Sequence, residues 1–265
     1  MRFGCCLNMV SSEADGTGIE AINALAKAGY DYAELPLAEM TALADREFCS
    51  LEEQVRRSGI SCEVCNNFFP GSIRLTGEDA RLDTALRYAD KALRRAHILG
   101  AEIVVFGSGQ AKNVPSGYPA DKGYSQVVQL LKKINVCAGE QNITVVIEPL
   151  RRAECNLINT FAEGCRLADD VQGENIKVLA DYYHMTEEKE PLSHIARGGE
   201  YLRHVHFANP SGRVYPEIAD GGDYAGFFKA LKDCGYNGRI SCEAYTEDFE
   251  KSAEKALDLF RQMTK

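Results

Sequence analysis

The chain of 265 residues carries 30 Lys and Arg against 39 Asp and Glu, a formal charge of -9, with 45% hydrophobic residues. The acidic balance argues against a partner that is itself a polyanion, whether nucleic acid or anionic membrane, while the hydrophobic share is ample for one large core. Met1 leads straight into a strand-like run without a signal-peptide core, and no apolar stretch approaches the roughly 18 residues of a membrane span, so a cytoplasmic protein is expected.

In chain order, strand-like runs centre on Phe3, Tyr32, Cys62, Val104, Val145, Val178, Val205 and Ile240. Helical patterns fall between them over 18–28, 43–58, 78–99, 124–140, 160–171, a shorter 192–196, 223–234 and 249–263. Gly29, Gly59, Gly100 and Gly235 stand where left-handed C-caps are expected. Strand and helix alternate without a Pro-, Ser- or Gly-rich linker, which predicts a single-domain (β/α)8 TIM barrel over 1–265 rather than an open doubly wound sheet. Ten cysteines are scattered through these elements, as buried thiols would be. Cys62 and Cys65 form one C-x-x-C, but on a strand residues three apart are expected on opposite faces, so neither a zinc nor a redox role is read there.

Four of the runs stop on a metal-capable side chain: Thr144-Val145-Val146-Ile147-Glu148, Ile176-Lys177-Val178-Leu179-Ala180-Asp181, Arg203-His204-Val205-His206 and Arg239-Ile240-Ser241-Cys242-Glu243. Any one of these tips alone serves equally well as a helix cap or ion-pair partner. All four, on strands five to eight of a barrel whose chemistry sits at the C-terminal strand ends, point to one divalent cation. Three carboxylates and an imidazole suit the Mn, Mg or Co type better than a thiolate-bound structural zinc.

Other residues fall near the same mouth. His184 follows Asp181 by three positions, Glu154 follows Glu148 by six, and Arg213 would place a fixed cation beside a hydroxyl or oxyanion. Glu34, read as the end of strand two, and Asn66 and Asn67, closing strand three, are candidate partners of substrate hydroxyls. His204 is expected deeper, as a hydrogen-bonded core residue, and His97 and His194 as structural. Phe106-Gly107-Ser108-Gly109 lacks the spacing and lysine of a phosphate-binding loop and reads as a tight turn. No Ser, His and Asp set has nucleophile-elbow context.

Assembled, the stretches from Glu148 to Glu154, Asp181-Tyr182-Tyr183-His184-Met185, His204-Val205-His206 and Gly222-Asp223-Tyr224-Ala225 through Cys242-Glu243 resemble the xylose-isomerase-like TIM-barrel superfamily. Within it they are most similar to sugar isomerases and epimerases of the D-tagatose and D-psicose 3-epimerase type. The similarity runs over nearly the whole chain, including Asn67-Phe68-Phe69-Pro70 and Val105-Phe106-Gly107-Ser108-Gly109. It implies that Glu148, Asp181, His206 and Glu243 hold one divalent cation, Mn²⁺ ahead of Mg²⁺, Co²⁺ or Zn²⁺, and that Glu154, His184 and Arg213 line the substrate oxygens. Two departures stand out: the stretch from His206 to Arg213 is one residue longer than the epimerase pattern, and Ala153 replaces an aromatic residue beside Glu154.

The chemistry expected of such a site starts from a ketose held by the cation through its C2 carbonyl and a neighbouring hydroxyl. The intervening C–H is acidified through an enediolate, a Lewis-acid effect of roughly several kcal/mol. Glu148 and Glu243, acting from opposite faces, would invert the carbon, each contributing roughly 10² to 10⁴ in rate. One shuttling carboxylate would instead interconvert aldose and ketose. A dehydratase on the same barrel and a non-catalytic sugar-binding protein are the alternatives. An abasic-site endonuclease needs further histidines where this chain has Asn66, Asn67, Gly107 and Ser108. The expected partner is a small sugar, with neither nucleic acid nor membrane, and a homo-oligomer is an open expectation. Absence of a Lys or Arg cluster at the strand ends favours an unphosphorylated sugar.

Overall fold

The computed structural model describes all residues, 1–265. Eight strands, β1 (Arg2–Cys6), β2 (Tyr32–Pro36), β3 (Ser61–Asn66), β4 (Ile103–Phe106), β5 (Thr144–Ile147), β6 (Ile176–Asp181), β7 (Leu202–Phe207) and β8 (Arg239–Cys242), pair in parallel in sequence order, and β8 closes on β1. This is a single (β/α)8 TIM barrel, as the alternation of patterns predicts. Parallel neighbours need a crossover, and Asp45–Ser58, Leu82–Ile98, Ala120–Glu140, Phe161–Val171 and Ala225–Asp233 supply five of the seven from outside the barrel, while Phe249–Met263 follows β8. Local signals set their ends. Thr160 accepts from the backbone of Glu163 while the Glu163 carboxylate returns to the Thr160 amide, and Gly59 stops its helix at φ +76°. No helix is long and apolar enough to cross a membrane.

Alternation along the strands sorts residues into two cores. Those facing outward join the helices in one large apolar cluster, whereas Tyr32, Val64, Ile103, Val105, Val146 and Leu179 form a separate one inside the barrel. Tyr32 reaches across the barrel because Gly4 offers no Cβ to meet its ring, and its hydroxyl bonds Ser241 Oγ at 2.8 Å. Two positions beyond Val146 and Leu179, the same inward face carries Glu148 and Asp181.

Two features depart from the expected pattern. The β2–β3 ladder shifts register between Ala33 and Glu34, so that Cys62 pairs Ala33 and Val64 pairs Glu34, leaving Glu63 as an extra residue. The bulge returns Cys62 and Cys65 to the same outward face with their sulfurs 3.9 Å apart, against the expectation of opposite faces. Short helices Leu37–Ala42, Gly109–Lys112 and Tyr182–Glu187 also follow β2, β4 and β6 directly. They are too brief for a 3.6-residue period to appear in sequence.

Candidate active site

Parallel register brings the four tips together. Asp181 lies level with His206 in the β6–β7 ladder, and Glu148 and Glu243 each stand one residue past the last paired positions, Ile147 and Cys242. All four are buried, and one donor atom from each lies within 4.8 Å of all the others. His206 Nδ1 is 3.0 Å from Glu148 Oε1 and 3.2 Å from Glu243 Oε2. Backbone room for this comes from Gly107, where any Cβ would collide with Glu148 Oε2.

Electrostatics show the strain of the arrangement. Burial, and then the charge of Glu243, pushes the Glu148 carboxyl above its ordinary range, and burial does the same to Asp181. Burial acts on Glu243 too, but Arg213 and His206 outweigh it and hold that carboxyl well below the usual value. Three carboxylates and one imidazole facing a common point offer hard donors with no thiolate among them, a set that fits a divalent cation of the Mg²⁺ or Mn²⁺ class.

Beneath this layer lies a second polar one. Glu34 accepts from Ser241 Oγ at 2.5 Å and lies 2.9 Å from both His204 Nε2 and His206 Nε2, fully buried. The placement of Glu34 at the mouth is therefore corrected: β2 continues two residues to Pro36, which drops Glu34 one layer into the barrel, and it does not line the cavity above. Asn66, expected at the mouth, does not line it either. It is buried inside the rim, its Nδ2 donating to Asn8 Oδ1 at 2.9 Å, so Asn8 rather than Asn66 faces the mouth. Asn67 does line it, in a left-handed conformation at φ +49°.

Above Glu148 and Glu243 opens a cavity of about 710 Å³ whose wall also includes Glu154, His184 and Arg213. Asp181 itself places His184: one carboxylate oxygen caps the helix that follows, accepting from the His184 amide at 3.1 Å. His184 Nδ1 accepts from the Arg151 amide at 3.3 Å, so the ring proton sits on Nε2, which is buried without a hydrogen-bond partner. Burial keeps this imidazole below its ordinary range, hence neutral. Glu154 is held by Arg151 Nε at 2.7 Å, and Arg213 Nη1 approaches it at 3.8 Å.

Arg213 reaches the site despite the longer loop. Gly212 and Arg213 take positive φ, +88° and +53°, and turn the chain so that Val214 bridges to Asn209 and Tyr245. The guanidinium then lies 4.9 Å over the Tyr183 ring, with Nη2 2.5 Å from Glu243 Oε2 and 4.0 Å from Asp181 Oδ2.

Sequence reasoning missed several residues here. Met9, Glu39, Gln110 and Tyr245 line the cavity. Lys112 is fully buried with its Nζ 2.9 Å from the Glu148 carbonyl oxygen, which it tethers. Each lies outside periodic pattern, and a lysine in a four-residue helix carries no sign that it will be buried.

Known proteins share this architecture. The chain is 28% identical over 235 residues to D-psicose 3-epimerase of Agrobacterium fabrum strain C58, covering 85% of this chain and 78% of that protein. It is 24% identical over 262 residues to a putative hydroxypyruvate isomerase of Drosophila melanogaster, covering 92% and 91%. D-Psicose 3-epimerase from Clostridium cellulolyticum H10, solved with D-tagatose, superposes with a TM-score of 0.87 over the full length of both chains at 21% identity, a likeness of fold. A family model described as "Xylose isomerase-like TIM barrel" matches residues 22–263, from the first α-helix to the last, and so spans all four convergent strand ends. By that match, the chain belongs to the xylose isomerase-like TIM barrel family.

Proposed function

We propose that this chain is a divalent-cation-dependent ketose 3-epimerase acting on an unphosphorylated sugar. The curated relatives are isomerases, and the chain is an enzyme of that class. One observation carries the reading: Glu148, Asp181, His206 and Glu243 present a compact four-donor cluster, and two of its carboxylates, Glu148 and Glu243, line the cavity that also holds the unpartnered His184 Nε2–H. A cation held by those four residues supplies Lewis-acid polarisation of a ketose carbonyl.

The remaining steps belong to the protein's own groups. Glu148 and Glu243 leave strands β5 and β8, on well-separated sides of the barrel mouth, so that one can take the C3 proton and the other return one to the opposite face. His184 Nε2–H donates to a substrate oxygen, a bond that satisfies an otherwise orphaned buried donor. Arg213 fixes Glu243 and, with Glu154, borders the same space. Glu39, Glu148, Glu154 and Glu243 make the lining acidic, and its single Lys or Arg, Arg213, is already engaged. Beyond the divalent cation itself, the phosphate of a phosphorylated sugar finds no free Lys or Arg in this lining.

Turnover by Mn²⁺-loaded protein across D-fructose, D-tagatose, D-psicose, a ketose phosphate and hydroxypyruvate, with products identified, tests the proposal. The 3-epimer of a neutral ketose is expected. An aldose product assigns isomerisation, loss of water assigns a dehydratase, and selective use of hydroxypyruvate overturns the substrate assignment.

A further inference from the structure

We propose that Glu34 is a positioning residue that dictates which nitrogen of His206 is presented to the cation, an inference resting on the metal-binding reading above. The His206 ring lies between two sets of acceptors. Nδ1 faces Glu148 and Glu243 in the upper layer, and Nε2 faces Glu34 Oε1 at 2.9 Å in the lower one. With a cation taking the Nδ1 side, shared with Glu148 and Glu243, the one proton of a neutral His206 is left to Nε2, where the Glu34 carboxylate accepts it.

The surroundings of Glu34 are arranged for that single contact. It is wholly desolvated and no Lys or Arg pairs with it, an environment that costs about several kcal/mol for a carboxylate unless hydrogen bonds compensate. Its other oxygen, Oε2, is satisfied by His204 Nε2 at 2.9 Å and Ser241 Oγ at 2.5 Å, and Ser241 is in turn met by the Tyr32 hydroxyl. His204 Nδ1 has no partner, so that ring directs its proton to Glu34 as well. With Oε2 thus occupied, Oε1 is left to His206. Apart from Glu34, the nearest polar group to His206 Nε2 is the weakly bonding Cys6 Sγ at 3.8 Å, which could not hold the tautomer. Glu34 also makes the imidazole a stronger donor, by accepting the proton on its far side.

Histidine-labelled protein loaded with Zn²⁺ or Mg²⁺, observed by ¹⁵N NMR, reads the tautomer directly and needs no variant. Protonated Nε2 and a cation-shifted Nδ1 are expected for His206, and a proton on Nδ1 overturns the proposal. In Mn²⁺ titrations of folded protein, Glu34→Gln is expected to weaken binding roughly 10- to 100-fold. His204→Phe, which keeps the Glu34 to His206 contact, is expected to change it less than about threefold, well below that loss. Equal binding by wild type and Glu34→Gln defeats the positioning role while leaving the metal site standing. If the wild type itself binds no divalent cation at millimolar concentration, the metal-binding reading fails and the inference falls with it.

Discussion

Gly107→Ala isolates the geometry of the site from the stability of the fold. A Cβ at this position would overlap Glu148 Oε2 and lie 3.2 Å from Glu148 Cδ, while ordinary carbon contacts begin near ~3.5 Å. Gly107 does not have positive φ, so alanine meets no backbone strain. The obstacle is the end of a flexible side chain, and that end must swing aside by about 1 Å. Ligand bonds to such cations span only roughly 2.0 to 2.6 Å, so the displaced oxygen leaves the cluster. A misplacement of that size costs about 10²-fold in rate. Stability should hardly move. Alanine gains about 0.4–1 kcal/mol by restricting the unfolded chain, and an off-rotamer Glu148 returns about 0.5–1.5 kcal/mol. The net change, within about 1 kcal/mol, shifts Tm by only about 2–4 °C for a chain of this size. Mn²⁺ calorimetry, thermal melts and kcat/KM on the true substrate give the three readings. Wild-type metal affinity with wild-type turnover would show that the Glu148 carboxylate does not occupy the space above Gly107. A fall in Tm beyond about 10 °C would show that more than a side-chain tip is displaced.

Further variants examine other links. Lys112→Met removes a buried cation that forms no ion pair and whose pKa burial lowers. It loses one charged hydrogen bond to the Glu148 carbonyl, worth about 1.5–3 kcal/mol, but recovers about several kcal/mol of desolvation. Melting should show equal or higher stability together with a kcat lowered about tenfold or more by the loosened Glu148 backbone; unchanged kcat refutes the tether. His184→Ala, Glu154→Ala and Arg213→Ala should each lower kcat/KM with Mn²⁺ affinity nearly intact, and any position whose variant keeps wild-type kcat/KM does not bind substrate. Thr160→Ala breaks the capping box at the start of Phe161–Val171 and should cost about 1 kcal/mol in denaturant melts without changing kcat; no loss of stability would mean that packing alone holds that helix end.

Much of this was legible in the chain because the barrel repeats one rule. Strand period and a shared end position are enough to bring Glu148, Asp181, His206 and Glu243 to one point, and no loop geometry enters. Where a strand end must be located to within two residues, sequence fails: Leu35-Pro36 continues β2, and Glu34 consequently serves His206 from below instead of a sugar from above. The bulge at Glu63 likewise reverses the expected facing of Cys62 and Cys65, since one inserted residue turns a separation of three into a same-face pair. Arg213 reaches its place through a turn with two consecutive positive φ angles. Neither that turn nor the burial of Lys112 has a periodic signature, for both depend on packing between distant segments.

The central claim is that Glu148 and Glu243 move protons at one carbon of a cation-held ketose. Its most direct test is conversion of a ketose in D₂O by Mn²⁺-loaded wild type, Glu148→Gln and Glu243→Gln, with metal occupancy verified for each. The account predicts a 3-epimer from the wild type that carries one solvent-derived deuterium at the inverted carbon, and no such exchange in either variant. Epimerisation without solvent label, or full exchange in either variant, would contradict it.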